Sequence, residues 1–267
     1  GDHRDLHSFP TRRSSDLLAD IHACDPWMSL DRIAEIVDRT NALNPDIIVL
    51  LGDYVAGLRH VTRFIPASEW AAVLKGLKAP LGVHAVLGNH DYWEDKMVQR
   101  LGQGTPVARR ALERAGIPVY ENDAVRLVKD NRPFWLAGLG DQLAFMAARP
   151  YREIRRVGVD DLNGTLAKVT DDAPVILLAH EPDVALRVPS RVALQLSGHT
   201  HGGQICLPGQ RAIVTNADID RERASGLHKY GTMWMEVSNG LGQSKYAPVR
   251  LFCPPSASLI RVVERGE

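Results

Sequence analysis

Residues 46–54 read DIIVLLGDY, and the reading of this stretch decides the fold. Residues 46–51 carry an apolar run without polar alternation, which requires a strand covered on both faces, because a half-wet strand alternates apolar with polar side chains. The run breaks at Gly52, and Gly52-Asp53 is a turn dipeptide. Working upstream, residues 17–19 form a shorter strand that ends at Asp20. Between the two lies a helix opening at Ser29 as N-cap, with Leu30, Ile33, Ala34 and Val37 on one face. Downstream, Ser68 is expected to cap a helix carrying Trp70, Val73, Leu74 and Leu77, and residues 82–87 form a strand that breaks at Gly88.

The same rhythm continues. Thr105-Pro106 starts a helix that stops near Gly116, with proline at the beginning and glycine just past the end. Residues 125–128 and 134–139 read as a hairpin around Asp130-Asn131, and the polar residues 149–168 as a helical surface excursion. PVILLA (174–179) and VALQLS (192–197) are further strands, and the short β-like segments after Ala212 predict a second sheet. Short apolar runs alternating with amphipathic helices define a layered α/β domain. There is no internal repeat and no Pro-, Gly- or Ser-rich linker, so one domain is expected.

A chain of 267 residues with 45% hydrophobic side chains is long enough for a substantial core. Lys+Arg and Asp+Glu both total 32, so the formal net charge is zero, which argues against general nucleic-acid affinity through a basic surface. The three cysteines, Cys24, Cys206 and Cys253, form no CxxC pair and support neither a disulfide framework nor a zinc ribbon. No stretch approaches the roughly 20 apolar residues of a membrane-spanning helix, so the chain reads as soluble. Residues 1–16, GDHRDLHSFPTRRSSD, have neither strand nor helix periodicity and resemble translated adapter read-through. They are set apart as a non-native or disordered leader, and residues 17–267 are taken as the working domain. A natural signal or anchor is then expected to be missing, which leaves cytoplasmic and membrane-associated locations both open.

The ten histidines are the compositional oddity. Five short motifs follow strand-like runs: Asp20-Ile21-His22, Gly52-Asp53-Tyr54, Gly88-Asn89-His90-Asp91, His180-Glu181, and Gly198-His199-Thr200-His201. Each alone reads as a turn. Together they gather Asp, His and Asn at one edge of a sheet, where open α/β folds keep their sites. A pair of divalent ions about 3.5–4 Å apart needs a bridging carboxylate and mixed oxygen and nitrogen donors on rigid strand ends. Imidazole and oxygen donors without thiolate suit Mn²⁺, Fe²⁺/Fe³⁺ or Zn²⁺ better than Ca²⁺.

The order and spacing of these motifs resemble the calcineurin-like metallophosphoesterase superfamily, over roughly residue 18 to the C-terminus. Flanking stretches such as VLLGDYVAG, GNHDYW, LLAHEPD and SGHTHGGQICLPG look like its bacterial membrane-associated phosphodiesterase-like branch, some of whose members hydrolyse UDP-2,3-diacylglucosamine. The resemblance implies a four-layer α-β-β-α sandwich of two mixed sheets flanked by helices, with the metal site at strand ends. It implies one metal on Asp20, His22, Asp53 and His201 and another on Asp53, Asn89, His180 and His199, with Asp53 bridging. His90 would face the phosphate as general acid or transition-state stabiliser, oriented by Asp91. The implied reaction is hydrolysis of a phosphodiester or pyrophosphate bond by metal-activated hydroxide, in a small-molecule or lipid phosphoester, with peripheral membrane association and no specific nucleic acid. A nuclease or cyclic-nucleotide phosphodiesterase is the alternative within the superfamily. A non-catalytic metal-binding scaffold is the alternative outside enzymes, though none of the seven ligand positions is substituted.

Tyr92, Asn239 and Arg250 are the candidate substrate contacts. Asp5-Leu6-His7 imitates the first motif, but only four residues precede it, too few for the buried strand a rigid ligand needs. His84 lies inside a strand pattern and is read as packed.

Overall fold

The computed structural model describes residues 4–7, 13–148, 154–244 and 248–263. Two mixed sheets form its centre. In chain order their strands are β1 (Arg4–His7), β2 (Arg13–Leu18), β3 (Ile47–Leu50), β4 (Val83–Ala85), β5 (Asp123–Lys129) and β6 (Arg132–Gly138). They continue with β7 (Val175–Leu178), β8 (Val192–Ser197), β9 (Gly226–Tyr230), β10 (Met233–Val237) and β11 (Ser258–Val263). The first sheet has the order β1-β11-β2-β3-β4 and the second β9-β10-β8-β7-β6-β5. Strands β2, β3 and β4 run parallel, as do β6, β7, β8 and β10.

The period of two explains the layering. Ile47, Val49 and Leu51 point into the core between the sheets, where they meet Phe134, Leu136, Ile176, Leu178, Leu194 and Leu196. Ile48 and Leu50 point the other way, under α1 (Leu30–Ala42), α2 (Ala67–Leu74) and α5 (Val107–Arg114), with the shorter α3 (Asn89–Trp93) and α4 (Lys96–Leu101) between α2 and α5 in the chain. On the far side of the second sheet, Val175 and Leu177 pack with Leu162 and with Val184 of the short 3-10 helix Pro182–Leu186. The result is the expected α-β-β-α order. Each aliphatic side chain so buried contributes about 1.5–3 kcal/mol.

Several local expectations are corrected. Ser29 does cap α1, accepting from the Arg32 N–H, but Ser68 lies inside α2, which starts at Ala67 behind Pro66. Proline lacks the N–H that a first-turn residue would leave unpaired, so it displaces the serine as the boundary. Strand β2 begins at Arg13 rather than at residue 17, with Ser15 opposite Ile47 and Asp16 opposite Ile48. Backbone pairing between β3 and β11 holds these residues without any apolar period of their own. In the 149–168 excursion, residues 149–153 lie outside the described residues. Of the rest, Ile154–Val157 pairs antiparallel with Phe145–Ala148, and the helix is confined to α6, Leu162–Ala167. The tail divides, β9 and β10 joining the second sheet and β11 returning to the first. The hairpin stands as expected: Asp130 and Asn131, at φ 50° and 60°, supply the two left-handed residues of a tight turn matched to strand twist. Among the described residues no helix is long and apolar enough to cross a membrane.

Candidate metal centre

The motifs converge where the strands end. Asp20 and His22 follow β2, Asp53 follows β3, His180 follows β7, and His199 and His201 follow β8. Asn89 and His90 open the short helix α3, Asn89–Trp93, beyond β4. Five of these residues, Asp20, His22, Asp53, His199 and His201, have φ between 49° and 68°. Left-handed backbone at a non-glycine residue costs on the order of 1–3 kcal/mol and persists where the surroundings impose it, typically at functional sites. Gly52, at φ 97°, permits the close approach of two loops: a Cβ there would lie 2.5 Å from Gly88 N and 2.8 Å from His180 Nδ1.

Two ligand groups result, Asp20 with His22 and His201, and Asp53 with His180 and His199. Within each, the donor atoms lie within 4.8 Å of one another. Asp53 Oδ2 faces both groups, 3.6 Å from His22 Nε2 and 3.3 Å from His180 Nε2. Imidazole nitrogens meet each other, His22 Nε2 with His201 Nε2 at 3.2 Å and His199 Nδ1 with His180 Nε2 at 3.3 Å. Two lone pairs at that distance repel unless a cation or proton lies between them. The outer nitrogens fix the tautomers. His22 Nδ1 donates to Val55 O at 2.9 Å and His180 Nδ1 to Leu51 O at 2.6 Å, so each Nε2 is left as a ligand. The buried Asn89 Oδ1 has no hydrogen-bond partner among the described residues. The residues present therefore fit a pair of divalent ions, and an all-oxygen-and-nitrogen donor set fits Mn²⁺, Fe or Zn²⁺.

The electrostatics agree. Burial lowers His22 and His199 to about 4, and burial with neighbouring His22 and Arg250 holds His201 well below the usual imidazole range. Each of these shifts favours the neutral ring, the form that ligates a metal ion. Burial also raises Asp20 to about 7. At Asp53 burial pulls upward too, but the rings of His180, His90 and His22 outweigh it and keep the carboxylate ionised. His180 is raised despite its burial, chiefly by Asp53.

Asp91 has a different task from the expected one. Its Oδ2 accepts from the N–H groups of Asp53 at 3.0 Å and Gly88 at 2.9 Å, and its Oδ1 from those of Tyr54 at 3.0 Å and Val55 at 3.2 Å. It braces the Asp53 turn and does not touch the His90 ring. Helix geometry explains this: residues one apart diverge, whereas residues four apart share a face. The ring meets Glu94, with Nδ1 3.1 Å from Oε1, while the His90 N–H donates to Asp53 Oδ1 at 2.8 Å.

The three candidate substrate contacts have partners within the fold. Tyr92 is buried, its hydroxyl donating to Glu121 and its ring edge on Phe145. Asn239 donates to Pro254 O and packs where a Gly202 side chain would be. Arg250 spends its guanidinium on the carbonyls of Asn239, Gly240, Gly242 and His201. Buried carbonyls at irregular turns need donors, and an arginine with five N–H groups supplies them. The cleft over the ligands is walled instead by His90, Trp93, Arg156, Asn216 and Ser244. Arg156 lies over the Trp93 ring at 5.3 Å, and Asn216 Nδ2 is 3.0 Å from His199 Nε2. Sequence reasoning missed Glu94, whose i+4 spacing from His90 is the signal that could have found it. Arg156 and Asn216 carried no sequence signal, lying in a polar ribbon and an irregular loop. His84 is packed as expected, bonded to Leu81 O and Tyr120.

A family model of calcineurin-like phosphoesterases matches residues 16–203. YkuE of Bacillus subtilis strain 168, an uncharacterised metallophosphoesterase, is 31% identical over 246 residues, covering 90% of this chain and 76% of YkuE. The phosphodiesterase YaeI of Escherichia coli K12 is 28% identical over 248 residues, 92% of this chain and 80% of YaeI. A Danio rerio transmembrane protein with a metallophosphoesterase domain is 32% identical over 195 residues, which are 71% of this chain and 40% of that protein. The chain belongs to the calcineurin-like phosphoesterase family, a family of metal-dependent phosphoester hydrolases.

Proposed function

We propose that this chain hydrolyses a phosphodiester or pyrophosphate bond with two divalent ions, one on Asp20, His22, Asp53 and His201 and the other on Asp53, Asn89, His180 and His199. The observation that carries this reading is the pair of ligand groups facing one shared carboxylate, Asp53. When bound, such ions supply Lewis acidity to the phosphoryl oxygens and make water nucleophilic at neutral pH. His90, on the cleft wall beside Trp93, donates a proton to the departing oxygen. Arg156 and Asn216 line the same cleft and offer N–H donors to phosphate oxygens.

An amphiphilic phosphoester is favoured as substrate. A cavity of about 380 Å³ lined by Ile205, Ile213 and Val214 shares His201, Asn216 and Ser244 with the metal cleft. A phosphate held in the cleft would thus place an apolar substituent against an apolar wall. The same exposed side chains support peripheral contact with a membrane surface.

The test is hydrolysis of bis-p-nitrophenyl phosphate with added Mn²⁺, expected to be abolished by a chelator. Asp53→Asn should lose bound metal, whereas His90→Ala should keep it and lose about 10²–10⁴-fold in turnover on an ester with a basic leaving group such as diphenyl phosphate. Equal metal loss in both variants would overturn the division of roles. A panel of phosphomonoesters, nucleotide diphosphate sugars, glycerophospholipids and single-stranded DNA then separates the substrate classes.

A further inference from the structure

We propose that Glu94 is the positioning residue of His90. Its carboxylate holds the imidazole through Nδ1 and leaves Nε2 as the ring nitrogen available to substrate. Glu94 follows α3 directly, one helical turn beyond His90, and its own N–H donates to His90 O at 3.1 Å. Its Oε1 lies 3.1 Å from His90 Nδ1. The ring is boxed on its other sides by His22 and Trp93, with centroids 5.0 and 5.2 Å away. Asp91, the nearer acid in sequence, is committed to four backbone N–H groups.

Gly57 supplies an independent observation. It is not among the residues with left-handed backbone, so turn geometry does not demand glycine there. Space does. A Cβ at position 57 would lie 2.4 Å from His90 Nδ1, 2.5 Å from His90 Cε1 and 2.7 Å from Glu94 Oε1. The missing side chain is filled by the His90–Glu94 contact itself. A contact whose carboxylate is solvent-exposed adds little stability, so its value lies in fixing which ring nitrogen faces the cleft.

The inference rests on the reading of His90 as proton donor to the leaving group, and leaving-group dependence tests both. Bis-p-nitrophenyl phosphate expels an acidic phenol that needs little protonation, whereas diphenyl phosphate expels a phenol of pKa about 10. In the metal-loaded protein, Glu94→Gln should lower kcat about 10–100-fold on diphenyl phosphate and less than about threefold on bis-p-nitrophenyl phosphate. KM, bound metal and thermal midpoint should stay unchanged. Glu94→Asp should recover part of the loss, Gly57→Ala should reproduce the bias, and His90→Ala should show it more strongly. An equal loss on both esters, or loss of metal, in Glu94→Gln would assign Glu94 a structural role and overturn the proposal. So would an unchanged Glu94→Gln beside a biased His90→Ala. A His90→Ala variant without bias would overturn the reading of His90 together with this one.

Discussion

Asp91 holds four N–H donors from two loops with one carboxylate, at zero exposure. Burial and the neighbouring charge of Asp53 push this group up to about 7, and the four donors oppose them. Asp91→Ala would leave those donors buried and unpaired, at about 1–3 kcal/mol for each that water cannot reach. We expect a loss on the order of 3 kcal/mol or more in urea unfolding, together with loss of metal, because the braced turn carries Asp53. Asp91→Asn should rescue little, since an amide presents its own N–H₂ to two of the same donors. At this scale the sequence was informative about identity and weak about partnership. The ligand residues were legible because motif spacing records which types sit at strand ends. Arg250 was not legible as a brace for carbonyls, since a demand for donors at irregular turns leaves no period in the chain.

Among the elements, the β5–β6 hairpin is tied down by Asp171. Its carboxylate accepts from Trp135 Nε1 at 2.7 Å, from Arg126 Nε at 2.7 Å and from the Ala173 N–H at 3.1 Å. The Trp135 and Arg126 bonds lower this carboxylate from its usual 3.8 to about 2. A depressed acid stabilises the fold above its unfolded value and ceases to as pH falls through the folded one. Asp171→Asn should therefore have a lower thermal midpoint than the parent at pH 6, with the gap closing as pH falls from about 4 towards 2. A gap constant down to pH 2.5 would refute the linkage. The strands around this hairpin were readable from short apolar runs and from Asp130-Asn131. The Phe145–Ala148 and Ile154–Val157 ribbon was not, because an antiparallel pair can take its order from backbone bonds rather than from apolar alternation. It is this ribbon that brings Arg156 to the cleft.

Across the whole molecule, zero net charge and the histidine excess describe a centre whose charge is concentrated at one edge of a sandwich. Each ligand group draws on both sheets: Asp20 and His22 from the first with His201 from the second, Asp53 from the first with His180 and His199 from the second. Neither sheet can assemble a complete coordination set by itself. That arrangement fixes when, in the life of the chain, a cation can matter. If the sheets dock only after the rate-limiting barrier, Mn²⁺ binds on the native side of it. It should then slow unfolding in proportion to its concentration above Kd while leaving the refolding rate unaltered. Stopped-flow refolding and unfolding with and without Mn²⁺ would read this directly, and refolding accelerated by metal would place docking of the two sheets before the barrier. The ions would then act as a latch closed last and opened first, so that a chain starved of metal would fold at its normal pace and fail by coming apart sooner.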